Sequence, residues 1–479
     1  MEKGLYLDRD RLFVATLCLT IVMTLVFGAA LGYDLASNRG GGNQTVSTLA
    51  PDQGTSTDNG TTATPTAGTA GAAAAAGANA AKPGSAAAPV VGSAQVGANV
   101  TVASGAPILL GALITQSGPL DASDAYRAES AYVQWINSQN GINGHRFNLD
   151  VKDDSGDPSK GRPAFEQIVQ EDHAFALVGE CAPVTDAAIV NEINTDQIPI
   201  VNDCLTSPAG YQSPYIWYIG MAPDTWQAIA ARYLYKHQST VKIRKPYVLC
   251  VNSSVTLPYC NGFTNEWKSL GGTTCSQSKC GGGYDLEQIG TTRAQYEAVA
   301  TQIRQSGADS IVDLLEPTNE LAFLQALQDQ GMDPQKYPHY APLGSDPNSI
   351  RTVGSFANGI YVCSQSGYFP SENVPAINQM RQVLKQYYAD TPPDNYALFI
   401  GWTPYIVFGQ AMRLMGNNIS RQNLINTLNA MHGFNDGVEP PLGWTAGNHS
   451  GPLFTRWAQI TGPDSYNIVT GFEDQNGSP

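Results

Sequence analysis

Short apolar runs alternate with amphipathic helical patterns from Ala106 onward. The runs are rich in β-branched and aromatic residues and have the length of buried strands. A typical helix is predicted at 125–139, where Tyr132, Trp135 and Ile136 recur at helical spacing. The predicted strands are 108–114, 147–152, 175–179, 198–202, 247–251, 310–315, 340–344 and 360–364.

Continuous apolar strands joined by helices predict an α/β fold of parallel sheets with helices on both faces. About 370 residues are too many for one hydrophobic core, so we expect two Rossmann-like lobes around a ligand cleft. In such sheets, ligands bind outside the carboxyl ends of the strands, where loops and helix N-termini collect. The Ser117-Gly118-Pro119 turn, which ends the first predicted strand, is expected to line that cleft.

The segment 12–33 is apolar and carries no charge. As a helix it would be about 33 Å long, enough to cross the hydrocarbon core of a bilayer. Basic residues precede it, so residues 1–11 are expected in the cytoplasm and the rest of the chain outside. A cleaved signal peptide that ends near residues 28–30 is an alternative, and lipidation at Cys18 is another.

Residues 34–105 consist largely of Gly, Ala, Ser and Thr. Such a composition cannot bury enough apolar surface to fold, so this segment is predicted to be a disordered tether. The globular part is then divided into two lobes. Lobe 1 is expected to comprise residues 106–222 and 366–440, and lobe 2 residues 223–365 and 441–475.

The charge and the sequence motifs exclude several functions. The chain carries 26 Lys and Arg residues against 41 Asp and Glu residues, a formal charge of −15. Nucleic acid is excluded as a partner, because phosphate binding needs a basic surface. No GxSxG, P-loop or HExxH sequence is present, and the glycine run at 281–283 does not fit a dinucleotide fingerprint. No CxxC pair occurs and the six histidines are scattered, so we expect no catalysis, no cofactor and no metal.

Seven of the eight cysteines lie beyond the apolar segment, in a part of the chain that is expected to be exported. Disulfides are plausible there, and the odd number leaves at least one thiol free or paired between chains. Cys181 and Cys204 end consecutive strand units, and adjacent parallel strands lie about 4.8 Å apart, within the range of a disulfide. We predict that they pair. A second bridge is expected among Cys260, Cys275 and Cys280, with the pair left open.

Six segments occur in an order that resembles a known family. They are ITQSGPL, QWINSQNGINGHRFNLDVKDDSGDP, FALVGECAPVT, IPIVNDCLTSP, LPYCNGF and PLGSDP. Together they resemble the type I periplasmic binding proteins, in the leucine/isoleucine/valine-binding branch that serves ABC transporters, over about residues 107–472. The resemblance implies two lobes joined by a three-strand hinge, closure around a small solute, and no catalysis.

In lobe 1 the resemblance assigns the ligand's carboxylate to hydroxyl groups that follow strand ends. Thr185 and Thr206 occupy such positions, and the hydroxyl and amides around Ser117 could assist. The backbone of Cys204 and Leu205 would accept hydrogen bonds from an ammonium group. The alternatives are a plain turn at Ser117 and helix caps at both threonines. The family's serine cluster is replaced by Ala-Pro-Val directly before Thr185.

In lobe 2 the resemblance assigns two further residues. Tyr259 matches a tyrosine that covers the ligand from an exposed loop, and the alternative is a structural tyrosine. Asp346 matches an acid that pairs with the ligand's α-ammonium, and the alternative is a cap for the helix that follows. The aromatic residue that the family often places after the first turn is absent, so the pocket for the ligand's side chain is undefined.

These features predict a membrane-tethered, extracytoplasmic solute-binding protein. It would capture an amino acid or a similar small polar solute and deliver it to an ABC permease. The alternative is a ligand-sensing ectodomain that signals through a partner membrane protein. Residues 1–11 are too few for a signalling domain, which favours delivery.

Overall fold

The computed structural model describes residues 97–475, apart from 119–120, 205–206, 278, 343–346, 366, 370, 393–394, 396 and 464. The predicted cytoplasmic segment, the apolar anchor and most of the predicted tether therefore lie outside the described residues. Among the helices of the described part, none combines the length and the apolar character that crossing a bilayer requires.

Most helices of the described residues start where the sequence supplies a proline or a polar cap. They are α1 (Ser123–Ser138), α2 (Pro158–Glu166), α3 (Pro183–Asp196), α4 (Pro208–Tyr211), α5 (Pro223–Lys236), α6 (Gln238–Val241), α7 (Leu257–Ser269), α8 (Arg293–Ser306), α9 (Pro317–Asp329), α10 (Pro347–Val353), α11 (Pro375–Tyr387), α12 (Ala397–Met415) and α13 (Arg421–Ala430). Most begin at or beside a proline, whose fixed φ and missing N–H suit the first helical turn. Asp157 caps α2 by accepting from Ser159 N at 2.9 Å.

A five-stranded parallel sheet is the centre of lobe 1, with the strand order β2-β1-β3-β4-β5. Its strands are β1 (Ile108–Ile114), β2 (Phe147–Asp153), β3 (Ala176–Val178), β4 (Ile200–Asn202) and β5 (Ile216–Tyr218). β1 is apolar throughout and buried at nearly every position, as expected for a strand that helices cover on both faces.

Helices pack on both faces of the lobe 1 sheet. On one face, Tyr132 of α1 meets Trp402 of α12 edge-on, with ring centroids 5.0 Å apart. Gly401 allows this close approach, because a Cβ there would lie 2.0 Å from the carbonyl oxygen of Ala125. On the other face, α2 and α3 bury an apolar cluster that includes Phe165 and Ile189.

A nine-stranded sheet is the centre of lobe 2, with the order β16-β15-β12-β11-β10-β6-β7-β8 and with β9 also paired to β6. Its strands are β6 (Pro246–Val251), β7 (Cys275–Ser276), β8 (Lys279–Cys280), β9 (Asp285–Glu287), β10 (Ser310–Leu314), β11 (His339–Tyr340), β12 (Tyr361–Ser364), β15 (Phe454–Gly462) and β16 (Ser465–Asp474). The remaining strands, β13 (His432–Phe434) and β14 (Leu442–Gly443), form a separate pair.

The centre of the lobe 2 sheet is parallel, and its edge is antiparallel. Helices α5 and α7 cover one face, and α8 and α9 cover the other. The parallel strands agree with the predicted fold class. The sequence analysis did not predict the hairpin β15–β16, since β16 alternates exposed and partly buried residues and lacks a continuous apolar run.

Three segments connect the two sheets, at 219–222, 365–374 and 444–453. They pack closely where Gly451 N donates to the carbonyl oxygen of Gly220 at 2.8 Å. The side chain of Gln365 lies against Gly220, 3.1 Å from the place a Cβ would occupy. We call these three segments the hinge.

The described residues also correct the end of the predicted tether. Residues 97–102 pack on lobe 1 instead of forming part of a disordered linker. Val102 N donates to Ile419 O and Arg421 N donates to Val100 O, each at 2.9 Å. The buried Arg421 guanidinium also bonds the carbonyl oxygens of Gly97 and Phe175. The composition of the segment could not reveal this contact, because the partners of Val100 and Val102 lie more than 300 residues further along the chain.

Candidate functional site

The carboxyl ends of the lobe 1 strands meet at one edge of the sheet, because the strands are parallel. Asp153 ends β2, and Asp154 follows it. Glu180 follows β3 after a single glycine, and Asp203 follows β4 directly. The candidate site is therefore lined on the lobe 1 side by loops that carry acidic residues.

Ser117 lies at this edge and is exposed, as the sequence analysis expected. Its hydroxyl donates to Asp153 Oδ2 at 2.6 Å, and Gln116 N donates to Asp153 Oδ1 at 2.9 Å. Burial opposes ionisation of Asp153, but these bonds outweigh it and lower the pKa of the carboxyl group. The Ser117 turn therefore already binds an anionic group, the carboxylate of Asp153.

Thr185 is the third residue of α3 and is fully buried. Its hydroxyl donates to Asp154 Oδ2 at 2.5 Å, and Thr115 Oγ1 donates to Asp154 Oδ1 at 2.7 Å. A Cβ on Gly161 would lie 2.3 Å from the Thr185 hydroxyl, so α2 packs directly against it. Thr185 therefore links α3 to the end of β2. Its hydroxyl group is buried and does not lie on the surface of the cleft, where it had been expected.

Cys181 and Cys204 form a disulfide between the ends of β3 and β4, with Cα atoms 5.2 Å apart. Cys204 N donates to Asn202 Oδ1 at 2.6 Å, which further fixes the start of the following loop. The next two residues, Leu205 and Thr206, lie outside the described residues, and so does Asp346. Their assigned roles stay predictions.

Two further disulfides join Cys250 to Cys260 and Cys275 to Cys280. Cys363 is buried and is not part of a bridge. One bridge was expected among Cys260, Cys275 and Cys280, and Cys275–Cys280 is such a bridge. The pairing of Cys250 was left open, because it depends on how α7 packs on β6.

We expect the Cys181–Cys204 bridge to form in exported protein. Loss of a bridge that spans 23 residues should lower the free energy of unfolding by about 3 kcal/mol, since it releases the unfolded chain. Urea unfolding of a Cys181→Ser/Cys204→Ser variant measures this. A Cys275→Ser/Cys280→Ser variant is the control, with a smaller loss of about 2 kcal/mol from its 5-residue separation. Peptide mass spectrometry that finds both Cys181 and Cys204 as thiols would contradict the pairing.

Tyr259 is the third residue of α7 and is 1% exposed. Its ring meets Trp226 edge-on at 5.6 Å, inside the apolar cluster under α5 and α7. An exposed loop aromatic that covers a ligand was expected at this position. The structure places this side chain in the core of lobe 2, which favours the structural alternative.

Two residues that the sequence analysis missed mark the lobe 2 edge of the site. Ser253 follows β6 and Glu316 follows β10, and these strands are neighbours in the parallel sheet. The Ser253 hydroxyl donates to Glu316 Oε1 at 3.1 Å. Burial raises the pKa of Glu316, although this bond lowers it in part. Glu316 could have been found from its local sequence, because it is an acid between an apolar strand and the proline that starts a helix.

Buried carboxyl groups surround the lobe 1 edge. Burial raises the pKa of Glu180 well above its usual range, and the charge of Asp186 raises it further. Burial also raises the pKa of Asp186 to about 7. The two groups lie side by side, and burial favours the protonated form of each of them.

Three more acids of lobe 1 are buried. Glu129 lies under β3, where its carboxyl group contacts Gly179, and burial raises its pKa. Burial and the charge of Asp436 raise the pKa of Asp203 and of Glu439. No group of three or more His, Cys, Asp or Glu side chains within the described residues is arranged to hold a metal ion.

A cavity of about 780 Å³ opens elsewhere, beside the second hinge segment. Its wall includes Tyr368, the first turns of α11, the loop 435–441 and Phe472 of β16. Ser117, Asp153, Ser253 and Glu316 are not among its lining residues, so the cavity is separate from these four residues of the candidate site.

Two sheets with polar strand ends, joined by three closely packed segments, define a two-lobed binding protein. Residues 107–462 match the model of the periplasmic binding protein family. The chain belongs to this family, which confirms the resemblance drawn from the sequence. Membership makes it a binding protein and not an enzyme.

Solved structures share the fold at low sequence identity. One is a branched-chain amino acid ABC transporter protein from Thermus thermophilus with bound valine, at 18% identity and a TM-score of 0.66, covering 77% of this chain and 96% of that chain. A fatty acid ABC transporter substrate-binding protein from Thermomonospora curvata has 16% identity and a TM-score of 0.65, covering 79% and 95%. A solute-binding protein from R. palustris in complex with 4-hydroxybenzoate has 16% identity and a TM-score of 0.64, covering 77% and 98%. A search of curated proteins gives no match.

Proposed function

We propose that this chain is the solute-binding component of an ABC transporter, tethered outside the cytoplasm by the segment 12–33. It captures a small polar organic solute, such as an amino acid or a related compound, by closing its two lobes. The hinge carries this proposal, because three packed segments between two parallel sheets allow rigid lobes to rotate around a cleft. Relatives of the same fold hold valine or 4-hydroxybenzoate, which are small organic solutes.

A ligand screen on the full chain tests this function. A solute at 100 times its Kd should add about 2.7 kcal/mol to the free energy of unfolding, which thermal shift detects. The panel contains amino acids, amines, amides, short peptides, aromatic acids and fatty acids. Small-angle scattering should then show a smaller radius of gyration with the bound solute. A panel without any stabilising solute would contradict the proposal.

We also propose that Asp346 pairs with an ammonium group of the solute. An enclosed ammonium loses most of its water, so it needs a counter-charge. Asp346→Asn keeps the ability to cap a helix but removes the charge, and should weaken binding by about 2–5 kcal/mol with little change in stability without ligand. Calorimetric titration measures the affinity, with the exposed Asp390→Asn as the control. If both variants bind equally well, Asp346 is a cap.

A further inference from the structure

Two hydroxyl groups that were expected to bind a ligand carboxylate in lobe 1 are already in use. Ser117 donates to Asp153 and Thr185 donates to Asp154, at 2.6 and 2.5 Å. A hydroxyl has one proton to donate, so neither can donate to a ligand carboxylate while these bonds persist. At these two positions, lobe 1 therefore presents carboxylate acceptors where the family resemblance implied donors.

The N-terminus of α3 could in principle receive an anion, because its first amides point toward the same edge. Three acids already lie around that terminus. Asp154 accepts from Thr185, Asp186 lies in the first turn of the helix, and Glu180 lies beside Asp186. A ligand carboxylate would have to approach these acids without a compensating base.

The loops that follow the parallel strands contain no Lys or Arg. These loops include 115–122, 154–157, 179–182, 203–207, 219–222, 252–256, 288–292, 315–316, 341–346 and 365–374. Among their described acidic residues, Asp121 is exposed and Glu316 is partly exposed, whereas Asp154, Glu180 and Asp203 are buried. The edges of both lobes therefore favour a positively charged solute, and the charge of −15 over the whole chain attracts such a solute from a distance.

Each lobe presents one serine–carboxylate pair at its strand ends. In lobe 1 the pair is Ser117 with Asp153, and in lobe 2 it is Ser253 with Glu316. Glu316 is only partly exposed and has no basic partner among the residues that the structure describes. Its remaining acceptor capacity suits an N–H donor that arrives when the lobes close.

We infer that the solute is an organic amine, cationic at neutral pH and without a carboxylate, and that Glu316 binds its ammonium group. This inference rests on the proposed function, and it names the chemical class of the solute in the same cleft. Asp153, which is exposed beside Ser117 at the lobe 1 edge, is the acceptor for a second donor of the amine from lobe 1.

Matched pairs of solutes test this inference on the full chain by calorimetric titration. The pairs are 3-methylbutylamine with leucine, cadaverine with lysine, and agmatine with arginine, which differ only by the carboxylate. At least one amine should bind, and more than tenfold tighter than its amino acid. Two outcomes overturn the inference: an amino acid that binds as tightly as its amine, and a complete lack of amine binding at millimolar concentration.

Glu316→Gln should weaken binding of that amine by at least about 30-fold, because it removes the charge that faces the ammonium. Glu297→Gln is the matched control, since Glu297 is exposed on α8 and follows no strand end. Equal affinity of the two variants overturns the role of Glu316. A carboxylate solute that binds tightly overturns the inference but leaves the proposed function in place, whereas failure of the whole solute panel contradicts both.

Discussion

The protein should be more stable at pH 5 than at pH 8. Most proteins bury few carboxyl groups without a basic partner, but among the described residues burial raises the pKa of five fully buried ones, in Glu129, Glu180, Asp186, Asp203 and Glu439. A raised pKa means that the folded state holds protons that the unfolded state has released. The stabilisation from these acids is therefore fully present below the pKa values that they have in the unfolded chain. It is lost as the pH rises through their pKa values in the folded protein.

Asp186 indicates how large this effect is and over which pH range it occurs. Its pKa rises from 3.8 to about 7, so its share of stability falls between about pH 4 and pH 7. Three pKa units correspond to on the order of 4 kcal/mol. His449 acts in the opposite direction, because burial lowers its pKa and it favours the folded state above its usual titration range. One histidine does not offset five acids.

Urea unfolding between pH 5 and pH 8 measures the effect. Glu180→Gln should flatten the profile, since a neutral amide has no proton to lose at the buried pair. The exposed Glu297→Gln should leave the profile unchanged. A free energy of unfolding that is constant or rises over this range would contradict the prediction. It would show that other contacts, and not bound protons, stabilise the buried acids in the folded protein.

Gly451→Ala should be the most destabilising small substitution in the hinge. A Cβ at this position would lie 1.7 Å from the carbonyl oxygen of Ile219, a backbone atom that cannot rotate away. The first and third hinge segments would have to separate, which breaks the bond from Gly451 N to Gly220 O. We expect a loss of about 3 kcal/mol or more, or a failure to fold.

Gly447→Ala is the matched control for this substitution. Gly447 lies in the same segment, but a Cβ there meets nothing within 4 Å. Urea unfolding and the yield of soluble protein compare the two variants. Similar values for both would mean that the hinge segments can separate without cost.

Local pattern predicted the strands that helices cover on both faces. The predicted range 108–114 coincides with β1, and 247–251 and 310–315 differ by one residue from β6 and β10. Such strands are continuous apolar runs, and burial on both faces leaves no other arrangement for them. β5 and the hairpin β15–β16 escaped prediction, because short or one-sided strands resemble turns and loops in their local sequence.

Strand ends could be read from the sequence, but the partners of their side chains could not. Ser117 and Thr185 were correctly placed after strands. Their acceptors, Asp153 and Asp154, lie 36 and 31 residues away in the chain, and no local pattern reveals that distance. Tyr259 was expected on a surface for the same reason, since its contact with Trp226 depends on how α7 packs against α5.

The sequence by itself determined the fold class, the family and the strand ends that line the candidate site. These depend on apolar periodicity and on the positions of turns, which neighbouring residues set. The tertiary structure alone decided which polar groups at that edge remain available to a solute. Availability depends on hydrogen bonds between residues far apart in the chain, and a hydroxyl that donates inside the protein cannot also donate to a ligand.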